Sequence, residues 1–189
     1  VTYPATASQT VGPYFRIGLS YLNTAALCAE STAGEHITVS GQLFDGAGVV
    51  VPDAQLELWQ PDAQGKFAGL DPSENGPPAD GFVGFARVPT DESGGFAFRT
   101  IRPGCAQMLD GTPQAPHIVL VLSMRGLLKH LHTRIYFAGD PRNDNDPVLL
   151  AIPAERRQTL FAQPNADDST HYRWNIQLQG NDETVFFQY

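Results

Sequence analysis

Residues 116–137, PHIVLVLSMRGLLKHLHTRIYF, constrain the fold of this chain more than any other stretch. They open on an apolar run, residues 117–124, with the composition of a strand buried on both faces. A basic turn follows at residues 125–129, and then a run of strict alternation. Successive side chains of an extended chain point to opposite faces. Leu131, Thr133, Ile135 and Phe137 therefore share one face of the second strand, and His130, His132, Arg134 and Tyr136 share the other. The second set gathers hydrogen-bonding and ligand-capable groups beside a buried strand, and any account of function has to explain it.

The remaining sequence reads as more sheet. Eighteen Gly and fifteen Pro in 189 residues, with no long helical period, imply short strands joined by tight turns. Residues 36–44 turn Ile37, Val39 and Leu43 inward before an Asp-Gly turn at Asp45 and Gly46. Residues 54–60 place Ala54, Leu56 and Leu58 on one face, with Glu57 and Trp59 on the other. Residues 69–81 read as a long Gly- and Pro-rich surface loop, followed by strands GFARV and GFAFRTI, and residues 105–116 as a second loop. Residues 140–147 read as a polar turn, and residues 153–162 as a helix opened by Pro153, with Leu160 and Phe161 to dock. HYRWNIQLQ and ETVFFQY supply the last strands, Tyr172, Trp174, Ile176 and Leu178 alternating. Seven to nine short strands with one or two short helices predict a single all-β domain over residues 1–189, an antiparallel β-sandwich. Residues 1–35 form its irregular N-terminal arm, broken by Pro4, Gly12, Pro13 and Gly18 yet carrying Tyr3, Tyr14, Phe15, Ile17, Tyr21 and Leu22. An arm this apolar lies either on its own domain or on a partner chain.

Composition narrows the chemistry. A net charge of −8 argues against nucleic acid or an anionic membrane as the main partner, but leaves room for a small anion where arginines gather. Cys28 and Cys105, far apart, read as free buried thiols rather than a disulfide framework. The first residues lack the basic-then-apolar order of a secretory signal, and no apolar run approaches the ~20 residues of a membrane span. The expectation is a soluble cytoplasmic protein. His130-x-His132 sets two imidazoles on one strand face, as β-scaffold metal sites begin, with His117 as a candidate third ligand for zinc or copper. The alternative is a polar stripe, since no carboxylate or cysteine accompanies the pair. Neither a Gly-x-Ser-x-Gly elbow nor a Gly-rich phosphate loop is present.

Six blocks carry a resemblance: SQTVGPYF (8–15), GQLFDGAGVVVPDAQLELWQPDAQGKF (41–67), GGFAFRTIRPG (94–104), APHI (115–118), HTRIYFAGD (132–140) and GNDETVFF (180–187). In order, and over nearly the whole chain, they resemble the intradiol ring-cleaving dioxygenases, and within that family the α subunit of its two-chain members. The resemblance implies a β-sandwich and a β subunit that holds Fe(III) with two tyrosinates and the histidines of a His-x-His. The corresponding positions here read His117-Ile118-Val119, Cys105-Ala106 and Phe67, so one ligand of four remains. Gln114 stands where the iron-bearing chain has arginine, and Arg134 where it has glutamine.

The resemblance therefore implies no metal ligand set and no catalytic residue in this chain. Iron belongs to the β partner, and this chain's own pocket is vestigial, with Arg134 in it. It further implies O2-dependent intradiol cleavage of protocatechuate, a small aromatic acid, to 3-carboxy-cis,cis-muconate, in a larger oligomer of αβ units. The substrate-binding residues carried over are Thr10, Gly12, Pro13 and Tyr14 of the arm and Arg125 of the hairpin turn. Gly12-Pro13 would give a ring a side-chain-poor edge, Thr10 a hydroxyl to a carboxylate, and Arg125 a guanidinium to draw that carboxylate in. The bland alternatives are an exposed turn residue for Arg125 and core filler for Tyr14. The rival for the whole chain is a transthyretin-like β-sandwich that binds an aromatic acid or a protein unaided.

Overall fold

A computed structural model describes residues 4–68 and 80–188. Tyr3 of the arm, residues 69–79 of the anticipated surface loop and Tyr189 lie outside the described residues.

Alternation sets the strands. In β1 (His36–Phe44) every second residue is buried, with Ile37, Val39 and Leu43 in the core. β2 (Gln55–Trp59) buries Leu56 and Leu58 completely, beside Ala54 just ahead of it. β3 (Phe85–Pro89) and β4 (Gly95–Ile101) follow, joined by a turn in which Asp91 accepts the N–H groups of Ser93 and Gly95. The central hairpin is β5 (His117–Ser123) and β6 (Leu131–Phe137), in a register that pairs His117 with Tyr136, Val119 with Arg134 and Val121 with His132. After it come α1 (Pro147–Leu150), α2 (Ala154–Arg157), β7 (Phe161–Pro164), β8 (His171–Arg173) and β9 (Ile176–Gln177).

Strand count agrees with the sequence; pairing does not. The hydrogen-bonded path runs β3-β2-β5-β6-β7-β8-β1-β4, with β9 also on β1. β3 and β4, at its two ends, lie against each other, so the sheet rolls almost shut and is barrel-like. Nor is it purely antiparallel: β6–β7, β1–β8 and β1–β9 are parallel. Parallel pairing needs a crossover of a dozen residues or more, and the helical segment between β6 and β7 is that crossover.

The anticipated helix over residues 153–162 is correspondingly short. One α turn passes into a 3-10 turn (Gln158–Leu160), and Phe161 already belongs to β7. The polar turn before it is a 3-10 helix (Pro141–Asn145) capped by Asp140. The final stretch is not a strand: it meets β6 through Thr133 Oγ1 donating to Val185 O at 2.8 Å and Phe187 N–H donating to His132 O at 2.8 Å. β8 and β9 are separated because the Asn175 side chain accepts the Gln42 N–H at 3.0 Å, where a ladder carbonyl would otherwise sit. Gly41 permits that approach, since a Cβ there would lie 1.6 Å from the Trp174 carbonyl oxygen. Both cysteines are free, as expected, but half-buried rather than buried.

Candidate functional site

The arm is fastened to the outer face of β2 and to the hairpin turn. Arg87 of β3, 3% exposed, is the main anchor. Its guanidinium donates to Phe15 O, to Leu19 O at 3.2 Å and to Asn23 Oδ1 at 2.9 Å, and pairs with Glu57 Oε1 at 3.3 Å. It also stacks over the Phe15 ring, 4.9 Å from the centroid. Residues 11–17 are thereby held over β2, and between them lies a cavity of about 380 Å3. Gly12, Pro13 and Arg125 line it, together with Arg16, Asp53 and Gln55. Three of the five residues proposed from the sequence thus meet in one cavity.

The other two are placed differently. Thr10 uses its hydroxyl on the hairpin turn, accepting the Gly126 N–H at 2.8 Å and donating to Met124 O at 3.3 Å. It clasps arm to turn. Tyr14 is 80% exposed and not a cavity wall, which also removes the core-filler alternative. Gly12 caps a 3-10 turn (Pro13–Phe15), with Pro13 at its first position. Arg125 pairs through Nε with Asp53 Oδ2 at 3.1 Å while its side chain stays 83% exposed, at the cavity mouth.

Sequence reasoning passed over Gln55, Arg16 and Asp53. Gln55 occupies a polar slot in an alternating strand, which reads as solvent-facing, yet it is 1% exposed because the arm covers it. The signal was the apolar arm itself, whose burial partner had to be some strand's outer face.

A second polar cluster closes the far end of the hairpin. Asp146, fully buried, caps α1 by accepting the Val148 and Leu149 N–H groups at 2.9 Å. It also accepts Ala115 N–H at 2.8 Å and the Tyr136 hydroxyl at 3.1 Å. Asp-Pro ahead of an apolar run is a helix-start signal, so this cap was available to the sequence. Arg134 donates to Gln114 Oε1 at 2.6 Å and to the Tyr136 hydroxyl at 3.3 Å. His117 Nδ1 lies 2.8 Å from Ala115 O, and its ring is 5.5 Å from that of Tyr136. Burial, reinforced by Arg134, pushes His117 down to about 4. Burial raises Tyr136 well above the usual phenol range.

These residues do not fit a ferric ion. Hard anionic oxygens would be needed, but the one phenol here is held protonated against a carboxylate, and Phe67, stacked 4.4 Å from Trp59, has no oxygen to offer. The Arg134 cation already sits beside the single remaining histidine. The other imidazoles do not make a site either. His130 and His132 stack edge to face at 4.7 Å, but His117 pairs four residues further along the strand, about 13 Å away. Among the described residues no group of three His, Cys, Asp or Glu is placed to hold a metal.

The nearly closed mixed sheet with its helical crossover is a fold shared with ring-cleaving dioxygenases of known structure. The dioxygenase domain of a dioxygenase–carbohydrate-binding fusion from Streptomyces sp. SirexAA-E superposes with a TM-score of 0.64 and 26% identity, over 86% of this chain and 89% of that one. Residues 11–180 match the Dioxygenase family model, and the chain belongs to the intradiol dioxygenase family. It is 42% identical to the protocatechuate 3,4-dioxygenase alpha chain of Burkholderia cepacia, over 98% of both chains. To the beta chain from the same organism it is 31% identical, over 80% of this chain and 67% of the other.

Proposed function

We propose that this chain is the α subunit of a protocatechuate 3,4-dioxygenase, and that it shapes a substrate cavity which a β chain completes. The observation that carries the reading is end-to-end similarity to an alpha chain, and the Arg134–Gln114 pair and protonated Tyr136 beside His117 support leaving the iron to a partner. Fe(III), on this reading, is bound by the β subunit, where it supplies the oxygen chemistry of ring cleavage. This chain contributes the Gly12-Pro13 edge, Arg125 at the mouth and, through Thr10, the clasp that fixes both relative to each other. Residues 1–35 of this single domain are the arm that contacts the β chain. We further infer that the rolled sheet packs as the two layers of a β-sandwich.

Co-expression with a β chain tests this. The complex is expected to consume O2 with protocatechuate and release 3-carboxy-cis,cis-muconate. Arg125→Ala should raise KM for protocatechuate about three- to tenfold, an effect that shrinks with salt because the side chain is exposed. KM for catechol, which lacks the carboxylate, should not move. A complex without ring-cleaving activity would sink the reading; equal effects on both substrates would remove Arg125 from it.

A further inference from the structure

Asp53 is the only carboxylate among the described residues that line the cavity under the arm, and the preceding reading gives it no role. It stands in the turn ahead of β2. Asp45, Asp62 and Asp91 show the ordinary use of a turn aspartate, each accepting the N–H two residues on at 2.8 Å. Asp53 accepts no hydrogen bond from the described residues. Its partner is Arg125, whose Nε lies 3.1 Å from Oδ2, and the Asp53 side chain is still 30% exposed. A carboxylate that the backbone does not use thus faces the guanidinium assigned to draw an anion in.

The proposed reaction makes that pairing consequential. Protocatechuate carries one carboxylate. Ring cleavage breaks the bond between the two hydroxyl-bearing carbons and leaves one atom of O2 on each, so the product carries three carboxylates and two further protons pass to solvent. Attraction to a cation grows with the charge of the anion. A cavity mouth built from arginine alone would therefore hold product better than substrate.

Resting on the α-subunit reading, we propose that Asp53 is a release residue, acting on the reaction through Arg125. It pairs with Arg125 in the empty cavity and competes with any anion that enters. A monocarboxylate meets this competition once; the tricarboxylate product meets it with three charges and is expelled.

Asp53→Asn in the αβ complex tests the assignment, since it removes the charge and keeps an acceptor for Arg125. KM for protocatechuate should fall about threefold, the scale of one exposed ion pair, and inhibition by added product should tighten about tenfold. KM for catechol, which has no carboxylate, should stay unchanged, and Asp53→Glu should restore wild-type behaviour. An Asp53 that merely holds Arg125 in place gives the opposite result, an unchanged or higher KM for protocatechuate with product inhibition unmoved, and overturns the proposal. Calorimetric titration of the complex with 3,4-dihydroxybenzoate under nitrogen supplies a readout without turnover, where Asp53→Asn should bind about threefold more tightly. The same titration of the full-length chain alone separates the two readings. A complex that cleaves no ring, with a chain whose affinity rises in Asp53→Asn, would refute the α-subunit reading and leave Asp53 its role. An active complex indifferent to Asp53→Asn in KM and product inhibition would do the reverse, and failure of both measurements would overturn both.

Discussion

His117 shows what one buried side chain does to the whole protein's response to pH. Its ring is enclosed by β5, β6 and the Ala115 carbonyl, with Arg134, Tyr136 and Asp146 as the neighbouring charged or titratable groups. Burial holds it at about 4, against about 6.5 in an unfolded chain. Between those values the unfolded state binds the proton and the folded state does not, so stability falls as pH falls. Its contribution is complete above pH 6.5 and is lost as pH drops toward 4, about 3 kcal/mol over that window. Asp140, held below the usual carboxylate range chiefly by hydrogen bonds from Arg142 and then Arg102, weakens the fold only at lower pH still. Urea unfolding at pH 7.0 and 4.5 should therefore give clearly different midpoints for the wild type. His117→Gln should flatten that difference, and a variant as pH-sensitive as the wild type would assign the effect to other groups.

At the scale of elements, the arm depends on one residue of the sheet. Arg87 joins Phe15, Leu19 and Asn23 of the arm to Glu57, and truncating it leaves two arm carbonyls, the Asn23 amide oxygen and the half-buried Glu57 carboxylate without their donor. Losing the hydrogen bonds of a buried guanidinium in this way costs about 1–3 kcal/mol. Arg87→Met is expected to lower stability by that order and to expose residues 11–22 to limited proteolysis, with cleavage mapped by mass spectrometry. An arm as protected as in the wild type would mean that Thr10 and the apolar contacts hold it alone. Elements were also what the sequence showed best. Alternation gives β1, β2 and β6 their extents and inward faces because burial on one side is a local property of the chain, and an unbroken apolar run gives β5. Pairing is not local, so the parallel ladders of β6–β7 and β1–β8 could not be read from it. The site divides in the same way. Gly12, Pro13 and Arg125 came from the family resemblance alone, and the structure brings them to one cavity. Gln55 was not legible, because what distinguishes it from a solvent-facing glutamine is an arm more than thirty residues away in sequence.

For the whole molecule the question is what covers the outer face of the arm. Its inner face is tied to β2 and β3, yet Tyr14, Ile17 and Tyr21 are 80%, 68% and 77% exposed. Three large apolar side chains presented together on a short segment, beside a cavity whose mouth stays open at Arg125, is the composition of an interface centre rather than of a monomer surface. Aromatic residues at such positions commonly account for 2 kcal/mol or more of binding each. In the proposed assembly, Tyr14→Ala and Tyr21→Ala should each weaken association with the β chain by about tenfold or more, read by sedimentation as a rising fraction of free chain on dilution. Neither residue touches the buried core, so Tm of the isolated chain should stay within about 1 kcal/mol-equivalent of wild type. Iron provides the independent readout. If the β chain holds it, iron and its tyrosinate absorption should follow the β chain through the dissociation, while the freed α chain carries none. Iron travelling with this chain would contradict the chemistry of Arg134 and Tyr136 at the hairpin's end, and association unaffected by both substitutions would move the interface off the arm.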